Sequence, residues 1–268
     1  MRHPSRPVQL FGGLVVVMLV APWLAPYAPE AQLDLVAQRG LPPSWTHWLG
    51  TDLYARDVLS RVLAGTRVTL AVALGSVVLS MGVATVVGTA ITLAPRPVST
   101  LLAGLVEALL PVPRLLLLLA CSAALTPLSG AGLTILIGLT GWVAAARLVA
   151  DETRRINRSD FVLAARAIGL SEWRIMRRHL WPHLQPVLAA HATLAVAAAI
   201  SAEAGLGFLG LGMAPPAPSW GNIMRDGAGV VTTQWWLTVA PAAAATLAML
   251  ACHQVGEAFE ESVLMVPR

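Results

Sequence analysis

The sequence predicts an all-α, polytopic membrane protein with about six transmembrane helices. Hydrophobic residues make up 56% of its 268 residues, and charged residues make up only 12%. A soluble domain is typically about one quarter charged, so this chain lacks the polar side chains that a surface in contact with water requires. Apolar runs close to the roughly 20 residues that cross a bilayer as a helix recur along the chain.

Six apolar segments are the candidate helices. The first follows Arg2 and Arg6 as a secretory signal would, but because the sequence starts at Met1 we expect it to be retained as a helix. Glycines suited to close helix packing occur in the second, and Pro111 and Pro113 interrupt the third. In order, the segments are Leu10–Ala25, Thr69–Leu93, Thr100–Leu125, Leu133–Ala150, Pro186–Ala204 and Leu237–Val255.

The distribution of arginine predicts the orientation of the chain. All 18 basic residues are arginine. With the N-terminus inside, 12 of these 18 lie in cytoplasmic segments and 5 on the opposite side, while Arg114 falls within a predicted span. Cytoplasmic loops of membrane proteins carry an excess of positive charge, so we expect both termini in the cytoplasm.

Three segments between the helices stand out. The first is extracytoplasmic and ends near Gly65, and we predict a domain boundary there. Residues 1–66 would form an N-terminal helix with this extracytoplasmic segment, and residues 67–268 the transmembrane domain. The second, about residues 151–185, is cytoplasmic and rich in arginine. The third, Gly205 to Trp236, is too apolar for an exposed loop and too rich in Gly and Pro for a helix. Because irregular backbone at membrane depth needs protein or water around it, we expect a re-entrant, scoop-like loop here.

The cytoplasmic segment predicts two short helices joined by a glycine turn. Small residues characterise the first helix, Phe161 to Ile168, and Gly169 suits the left-handed position that follows a helix. Ser171 is a candidate N-cap for the second helix, which we expect to end at Pro182. From the residues alone, two interpretations stay open: a helix pair that docks into a groove on a partner, or a solvated loop whose arginines orient the protein.

A motif in this segment resembles the cytoplasmic loop motif of bacterial ABC importer permeases. The family pattern is Glu-Ala-Ala, three residues, Gly, nine residues and Ile-x-Leu-Pro; here the run Leu163–Ala165 is followed by Gly169 and Pro182 at the same spacing. The leading Glu of the family is Leu in this chain, and His179 and Trp181 replace its two aliphatic residues. The resemblance favours the docking interpretation.

Two further motifs are similar to those of the dipeptide, oligopeptide and nickel permeases, in their second ("C") subunit. Leu-Gly-Thr-Asp at Leu49–Asp52, followed by Arg56-Asp57 and Ser60-Arg61, resembles the N-terminal signature, with Ala55 in place of the usual Gly. Phe-Leu-Gly-Leu-Gly at Phe208–Gly212, followed by Pro-x-Pro-Ser-Trp-Gly, resembles the outer loop. The first outer segment looks closest to the nickel branch.

The resemblance implies a permease subunit of a binding-protein-dependent importer in the bacterial inner membrane. Its expected partners are a second permease subunit, two ATPase subunits and an extracytoplasmic substrate-binding protein. The imported solute would be nickel, free or chelated, or a di- or oligopeptide. The candidates for contact with the ATPase subunits are Leu163, Ala164, Ala165 and Gly169. Arg166 and Arg174 are candidates for pairing with ATPase carboxylates, or they are charges that only orient the protein in the membrane.

We expect the chain itself to be no enzyme and to bind no cofactor. It contains no lysine, which excludes a standard phosphate-binding loop ending in Gly-Lys-Ser/Thr, so ATP is expected in the partner subunits. A stand-alone, proton-coupled secondary transporter stays open as the alternative. Few ionisable residues lie in the predicted spans, however, and such a carrier would not need a segment shaped for docking.

Ionisable residues at membrane depth are the candidates for the solute pathway, because a charge at the bilayer centre costs roughly 3 kcal/mol or more. Glu107 and Arg114 would share one face of an undistorted helix, which the prolines between them could change. They are candidates for the translocation path or for the interface with the partner permease, with pairing to each other or to backbone as the alternative. Glu203 is a candidate for gating, or for anchoring the outer loop by accepting backbone N–H bonds. His191 and His253, on different spans, are candidates for a metal way-station, although a buried neutral His bonded to a helix carbonyl is the commoner arrangement.

Overall fold

The computed structural model describes residues 9, 12–13, 16–17, 19–32, 34–214 and 216–264. No β-strand is formed in this part of the chain, where two isolated bridges join Thr51 to Asp57 and Leu128 to Met213. The α-helices are α1 (Val58–Leu93), α2 (Arg96–Leu109), α3 (Arg114–Leu125), α4 (Gly130–Asn157), α5 (Asp160–Ala167), α6 (Glu172–Ile175), α7 (Trp181–Phe208), α8 (Trp220–Gly227) and α9 (Trp236–Leu264).

The helices confirm the all-α, polytopic class. Four helical stretches of the described chain are long and apolar enough to cross a membrane, namely α1, α4, α9 and the stretch from Glu172 through α7. The α2–α3 pair is a fifth candidate. Within the first predicted segment, Leu10–Ala25, the described residues 12–13, 16–17 and 19–20 are α-helical, and a 3-10 turn, Ala21–Leu24, follows them. α1 begins at Val58 rather than Thr69, so it runs without interruption through residues 66 and 67, where we predicted a domain boundary.

The third predicted span is not one straight helix. α2 and α3 meet at an angle of 87°, and residues 110–113 between them form a turn. Pro111 and Pro113 account for the break, because proline lacks the N–H that a continuing helix needs and its ring clashes with the preceding turn. Glu107 and Arg114 therefore do not share one helical face, as they would on an undistorted helix.

The core of the bundle forms around α1 and α4, which make the most extensive helix pair. Small residues allow this close packing. A Cβ added to Gly88 would fall 2.6 Å from both the Ala146 carbonyl oxygen and Val149 Cβ, and Gly138 is similarly enclosed against α1. α7 packs against α9 and α1 on the other side of the same apolar core. In lipid, small residues decide which backbones approach each other, so these glycines help to select the helix pairs.

The third predicted loop contains more helix than expected, since α8 occupies part of it. Ser219 caps α8 by accepting the backbone N–H of Asn222 at 3.3 Å. The glycines that argued against a helix serve helix packing instead, because a Cβ on Gly207 would lie only 2.9 Å from the Cα of Gly221. The described residues between α7 and α8 are irregular and contact the α3–α4 connection through Leu128, and a second non-helical stretch, residues 231–235, precedes α9.

The arginine-rich segment forms the predicted pair of helices, α5 and α6, with one difference. α6 does not end at Pro182: a π-helical turn, Met176–Leu180, joins it directly to α7. The irregular turn accommodates Pro182, whose missing N–H cannot continue a regular helical ladder. Ser171 occupies the N-cap position of α6, but its side chain makes no capping bond. The helix pair is therefore continuous with a membrane-spanning helix.

Candidate functional site

The turn between α5 and α6 is formed by a glycine that a side chain would strain. Gly169 has φ +83°, in the left-handed region that L residues other than glycine rarely adopt. Its N–H donates to the Arg166 carbonyl at 2.9 Å, and the N–H of Leu170 donates to the Ala165 carbonyl at 3.1 Å. These two bonds are the Schellman arrangement that ends a helix. Gly169 therefore ends α5, as its spacing predicted.

The α5–α6 unit, residues 160–175, has an apolar core that continues into α7. Ala165 belongs to this core with 5% of its surface exposed, so it stabilises the unit from inside rather than forming its outer surface. Since the core includes residues of α4 and α7, a displacement of the unit would move the transmembrane helices with it. The buried members are Ile156, Val162, Ala165, Ile175, Leu180 and Leu184.

The outer surface of the α5–α6 unit is apolar and is left uncovered by the described part of the chain. Leu163, Ile168 and Trp173 are 52%, 78% and 74% exposed. Ala164 and Gly169 are exposed as well. Such a concentration of exposed apolar side chains at the end of a bundle is typical of a protein–protein contact.

Arg166 and Arg174 have different surroundings. Arg166 donates to both carboxylate oxygens of Glu172 at 2.8 Å and to Asn157 Oδ1 at 2.6 Å, so it ties α4, α5 and α6 together. These hydrogen bonds raise the pKa of Arg166 and hold the pKa of Glu172 below its ordinary value. Arg174 is exposed and has no ion-pair partner within the described residues. Of the two arginines, Arg174 is the one that remains available to another subunit.

A cavity of about 540 Å³ lies between α3, α4 and α7. Arg114 and His191 are the ionisable residues among its described lining, and most of the other lining side chains are apolar. Arg114 Nη2 donates to the Ile137 carbonyl at 3.1 Å. Glu107 is exposed on α2, beyond the bend, and forms no ion pair with Arg114. The structure thus places one of the two predicted pathway residues in a cavity and separates the other from it.

The histidines do not form a metal site in the described part of the chain. No group of three or more His, Cys, Asp or Glu side chains that could hold a metal ion occurs there. His253 is exposed on α9, whereas His191 is half-buried on α7.

At the opposite end of the bundle, buried ion pairs connect the N-terminal signature to α8. Asp52 is fully buried and accepts hydrogen bonds from Arg56 Nε at 2.7 Å and from Arg61 Nη1. Asp226 accepts from the same two arginines at 3.1 and 3.0 Å. Arg56 and Asp226 are 170 residues apart in the sequence, which is why no local motif predicted their pairing.

The remaining signature residues also have structural roles. Asp57 caps α1 by accepting the Ser60 N–H at 2.8 Å, and it pairs with His47 Nδ1 at 2.8 Å. Ala55 has φ +56°, a left-handed conformation that explains why glycine is usual at this position in the family. Much of the signature therefore forms the connection that holds the segment before α1 in place.

Glu203 lies at the contact between α7, α1 and α8, with 1% of its surface exposed. The hydroxyl groups of Thr69 and Ser219 face its carboxyl group. Neither carboxyl oxygen has a partner with hydrogen-bonding geometry among the described residues. The prediction that it accepts backbone N–H bonds is wrong, because the N–H groups at the start of α8 are bonded elsewhere: that of Trp220 to Thr69 Oγ1 and that of Asn222 to Ser219 Oγ.

The sequence of residues 76–262 matches the family described as binding-protein-dependent transport system inner membrane component. The chain belongs to this family. It is therefore a permease subunit of an ABC importer and a multi-pass protein of the inner membrane, and the family is one of transport subunits rather than catalytic enzymes.

Relatives of this permease include proteins named for peptide transport. A putative peptide transport system permease protein of Brucella abortus biovar 1 is 36% identical over 265 residues, which cover 97% of this chain and 88% of that protein. A putative peptide permease protein of Brucella suis biovar 1 is 34% identical, with 93% and 82% covered. The dipeptide transport system permease protein DppC of Bacillus subtilis is 32% identical, with 93% and 78% covered.

Among solved structures, the permease resembles a chain of the MetNI methionine ABC transporter in an inward-facing conformation. The TM-score is 0.56 at 19% sequence identity, and the match covers 74% of this chain and 95% of that chain. At this identity the likeness concerns the fold alone.

Proposed function

We propose that this permease forms half of the translocation pathway of an ATP-driven importer of di- and oligopeptides. It would pair with a second permease subunit, contact two ATPase subunits and receive its solute from an extracytoplasmic binding protein. The observation that carries the proposal is the α5–α6 unit, a helix pair with an exposed apolar surface and a core shared with α4 and α7.

Coupling to ATP hydrolysis requires a unit that contacts the ATPase subunits on one side and is packed against the transmembrane helices on the other. ATPase subunits shift the permease between two states only through contacts that differ between those states. Leu163 and Gly169 lie on the exposed surface, and Arg174 adds a charge without a described partner. Ala165 and Arg166 support that surface from within the chain. A proton-coupled carrier that works alone would have no use for this surface.

Peptides are the solute class that the relatives favour, since proteins 32–36% identical to this chain are named for peptide or dipeptide transport. Nickel, which the similarity of the first outer segment suggested, lacks comparable support. Of the two histidines considered for it, His191 lines the cavity between α3, α4 and α7, but neither belongs to a group of three or more potential metal ligands in the described chain.

Replacing Ile168 with glutamate should prevent the ATPase subunits from co-purifying with the permease and should reduce dipeptide uptake at least about ten-fold. Ile168 is 78% exposed, so the substitution leaves the core of the α5–α6 unit intact while placing a charge in the proposed apolar contact. The measurement is co-purification from membranes, together with uptake of radiolabelled dipeptide and of radiolabelled nickel in cells that lack the native chain.

The matched control is Ile168→Val, which keeps the contact apolar and should behave as the wild type. Normal assembly and transport in Ile168→Glu would contradict the docking role. Uptake of nickel but not of dipeptide by wild-type cells would contradict the peptide assignment, and dipeptide uptake without any ATPase subunit would favour the carrier.

The orientation can be tested separately. Excess arginine on the α5–α6 side supports a cytoplasmic location for this end of the bundle. In a chain with Cys121 and Cys252 replaced by alanine, Ser171→Cys should react with a membrane-impermeant thiol reagent only after the cells are opened. Val36→Cys, at a position 95% exposed near the other end, should react in intact spheroplasts. Labelling of both positions from the same side would contradict this topology.

A further inference from the structure

Arg114 is a cation within the bent α2–α3 pair, a candidate membrane span, and it has no counter-ion in the described chain. It is the first residue of α3, directly after the bend, and its guanidinium group reaches the cavity of about 540 Å³ between α3, α4 and α7. Glu107 is the nearest acidic residue in sequence, but the 87° bend directs it elsewhere and no ion pair forms. His191, the other ionisable residue in the cavity lining, cannot supply a negative charge.

The hydrogen-bonding capacity of Arg114 is also largely unused. Its guanidinium group carries five N–H donors. Nη2 bonds the Ile137 carbonyl at 3.1 Å, whereas Nε is buried and has no acceptor within the described residues. Gly141 leaves room for the group, because a Cβ at that position would fall 3.0 Å from Nη2. The described part of the chain thus holds the guanidinium group in place through one hydrogen bond and leaves its Nε donor without an acceptor.

Arg114 is half-buried, and its charge has no counter-ion among the described residues, so a negative partner that this part of the chain does not supply would stabilise it. The cavity has the size of a small-molecule site, and its composition, an apolar lining with few polar groups, is typical of one. A carboxylate is the group that a guanidinium binds best, because the two planar groups match in a bidentate pair. A short peptide carries a carboxylate at its C-terminus and apolar or mixed side chains that such a lining accepts.

We propose that Arg114 binds the terminal carboxylate of the peptide during its passage through the permease. This inference rests on the proposed function and assigns a recognition role to one residue of the pathway. A carboxylate of the second permease subunit would satisfy the same charge, and the experiment below separates the two sources.

The test measures uptake of a dipeptide and of its C-terminal amide into proteoliposomes that contain the complete importer. The binding protein is added saturated with one peptide or the other. Arg114→Gln should lower uptake of the free acid about ten-fold or more, because glutamine cannot form the charge-assisted, bidentate hydrogen bonds that a guanidinium makes to a carboxylate. Uptake of the amide should change less than about two-fold. Any preference of the binding protein cancels, since only the change in the acid-to-amide ratio between variants is used.

The control is Arg147→Gln on α4, where the arginine is 59% exposed and should leave the ratio unchanged. An equal loss for acid and amide would contradict the proposal and indicate a carboxylate of the partner permease. If the importer with Arg114→Gln does not assemble, Arg114→Lys replaces it in the test. Lysine keeps the charge but cannot form the bidentate pair, so the ratio of acid uptake to amide uptake should fall several-fold. An unchanged ratio would contradict the proposal. If the wild type transports neither peptide, the proposed function fails as well.

Discussion

Replacing Asp52 with asparagine should lower the free energy of unfolding by about 3–5 kcal/mol, because it removes the negative partner of a buried ion-pair network. Asp52 is 0% exposed, and its carboxylate also accepts the backbone N–H groups of Tyr54 at 2.8 Å and Arg56 at 2.9 Å. With the charge removed, Arg61, which is only 4% exposed, would retain Asp226 as its single described counter-ion.

The measurement is thermal unfolding of the detergent-purified permease, with the yield of membrane-inserted protein as a second readout. Asp151→Asn is the matched control, because Asp151 is 59% exposed and pairs with Arg154 on the surface, where an ion pair contributes about 1 kcal/mol or less. Equal unfolding temperatures for the two variants would show that the network around Asp52 is not important for stability.

Replacing Gly221 with alanine should force α8 away from α7 and abolish transport. A Cβ at this position would lie 2.5 Å from the Ala204 carbonyl oxygen and 2.9 Å from the Cα of Gly207, both backbone atoms that cannot rotate away. Overpacking in a core costs about 1–3 kcal/mol where side chains can adjust, and we expect at least this much against rigid backbone. Because α8 carries Asp226, the shift would also strain its ion pairs with Arg56.

Gly205→Ala on α7 is the control for this substitution. Nothing lies within 4 Å of a Cβ at Gly205, so alanine there should be neutral or slightly stabilising in the helix. Dipeptide uptake and thermal stability measured side by side would test the difference. Wild-type behaviour of Gly221→Ala would show that the contact between the two helices adjusts without cost.

The α5–α6 unit shows what local sequence can predict. Gly169 follows a short helix of small residues, and the bonds that end that helix join residues at most five positions apart. A feature built from such close neighbours leaves a recognisable spacing, so the turn was predicted correctly. The π-helical turn before Pro182 was not predicted, because the sequence shows that proline interrupts a helix but not whether the chain bends, stops or continues after the irregularity.

The region around Arg114 shows the opposite case. Two prolines indicated that the third span was interrupted, yet the angle of 87° depends on how α2 and α3 pack against α1 and α4. The same angle separates Glu107 from Arg114 and leaves the arginine in a cavity with His191, a residue of a helix distant in sequence.

The sequence by itself therefore determined the membrane class, most of the spanning segments, the helix pair around Gly169 and the family, because each depends on composition or on spacing between close residues. Only the tertiary structure decided that Asp226 pairs with Arg56 and Arg61. It also placed Ala165 in the core of the α5–α6 unit, whereas we had expected this residue on its surface. Finally, it placed Arg114 at a cavity with no counter-ion among the described residues. These contacts arise from the angles and distances at which packed helices meet, and residues far apart in the chain carry no local pattern that records them.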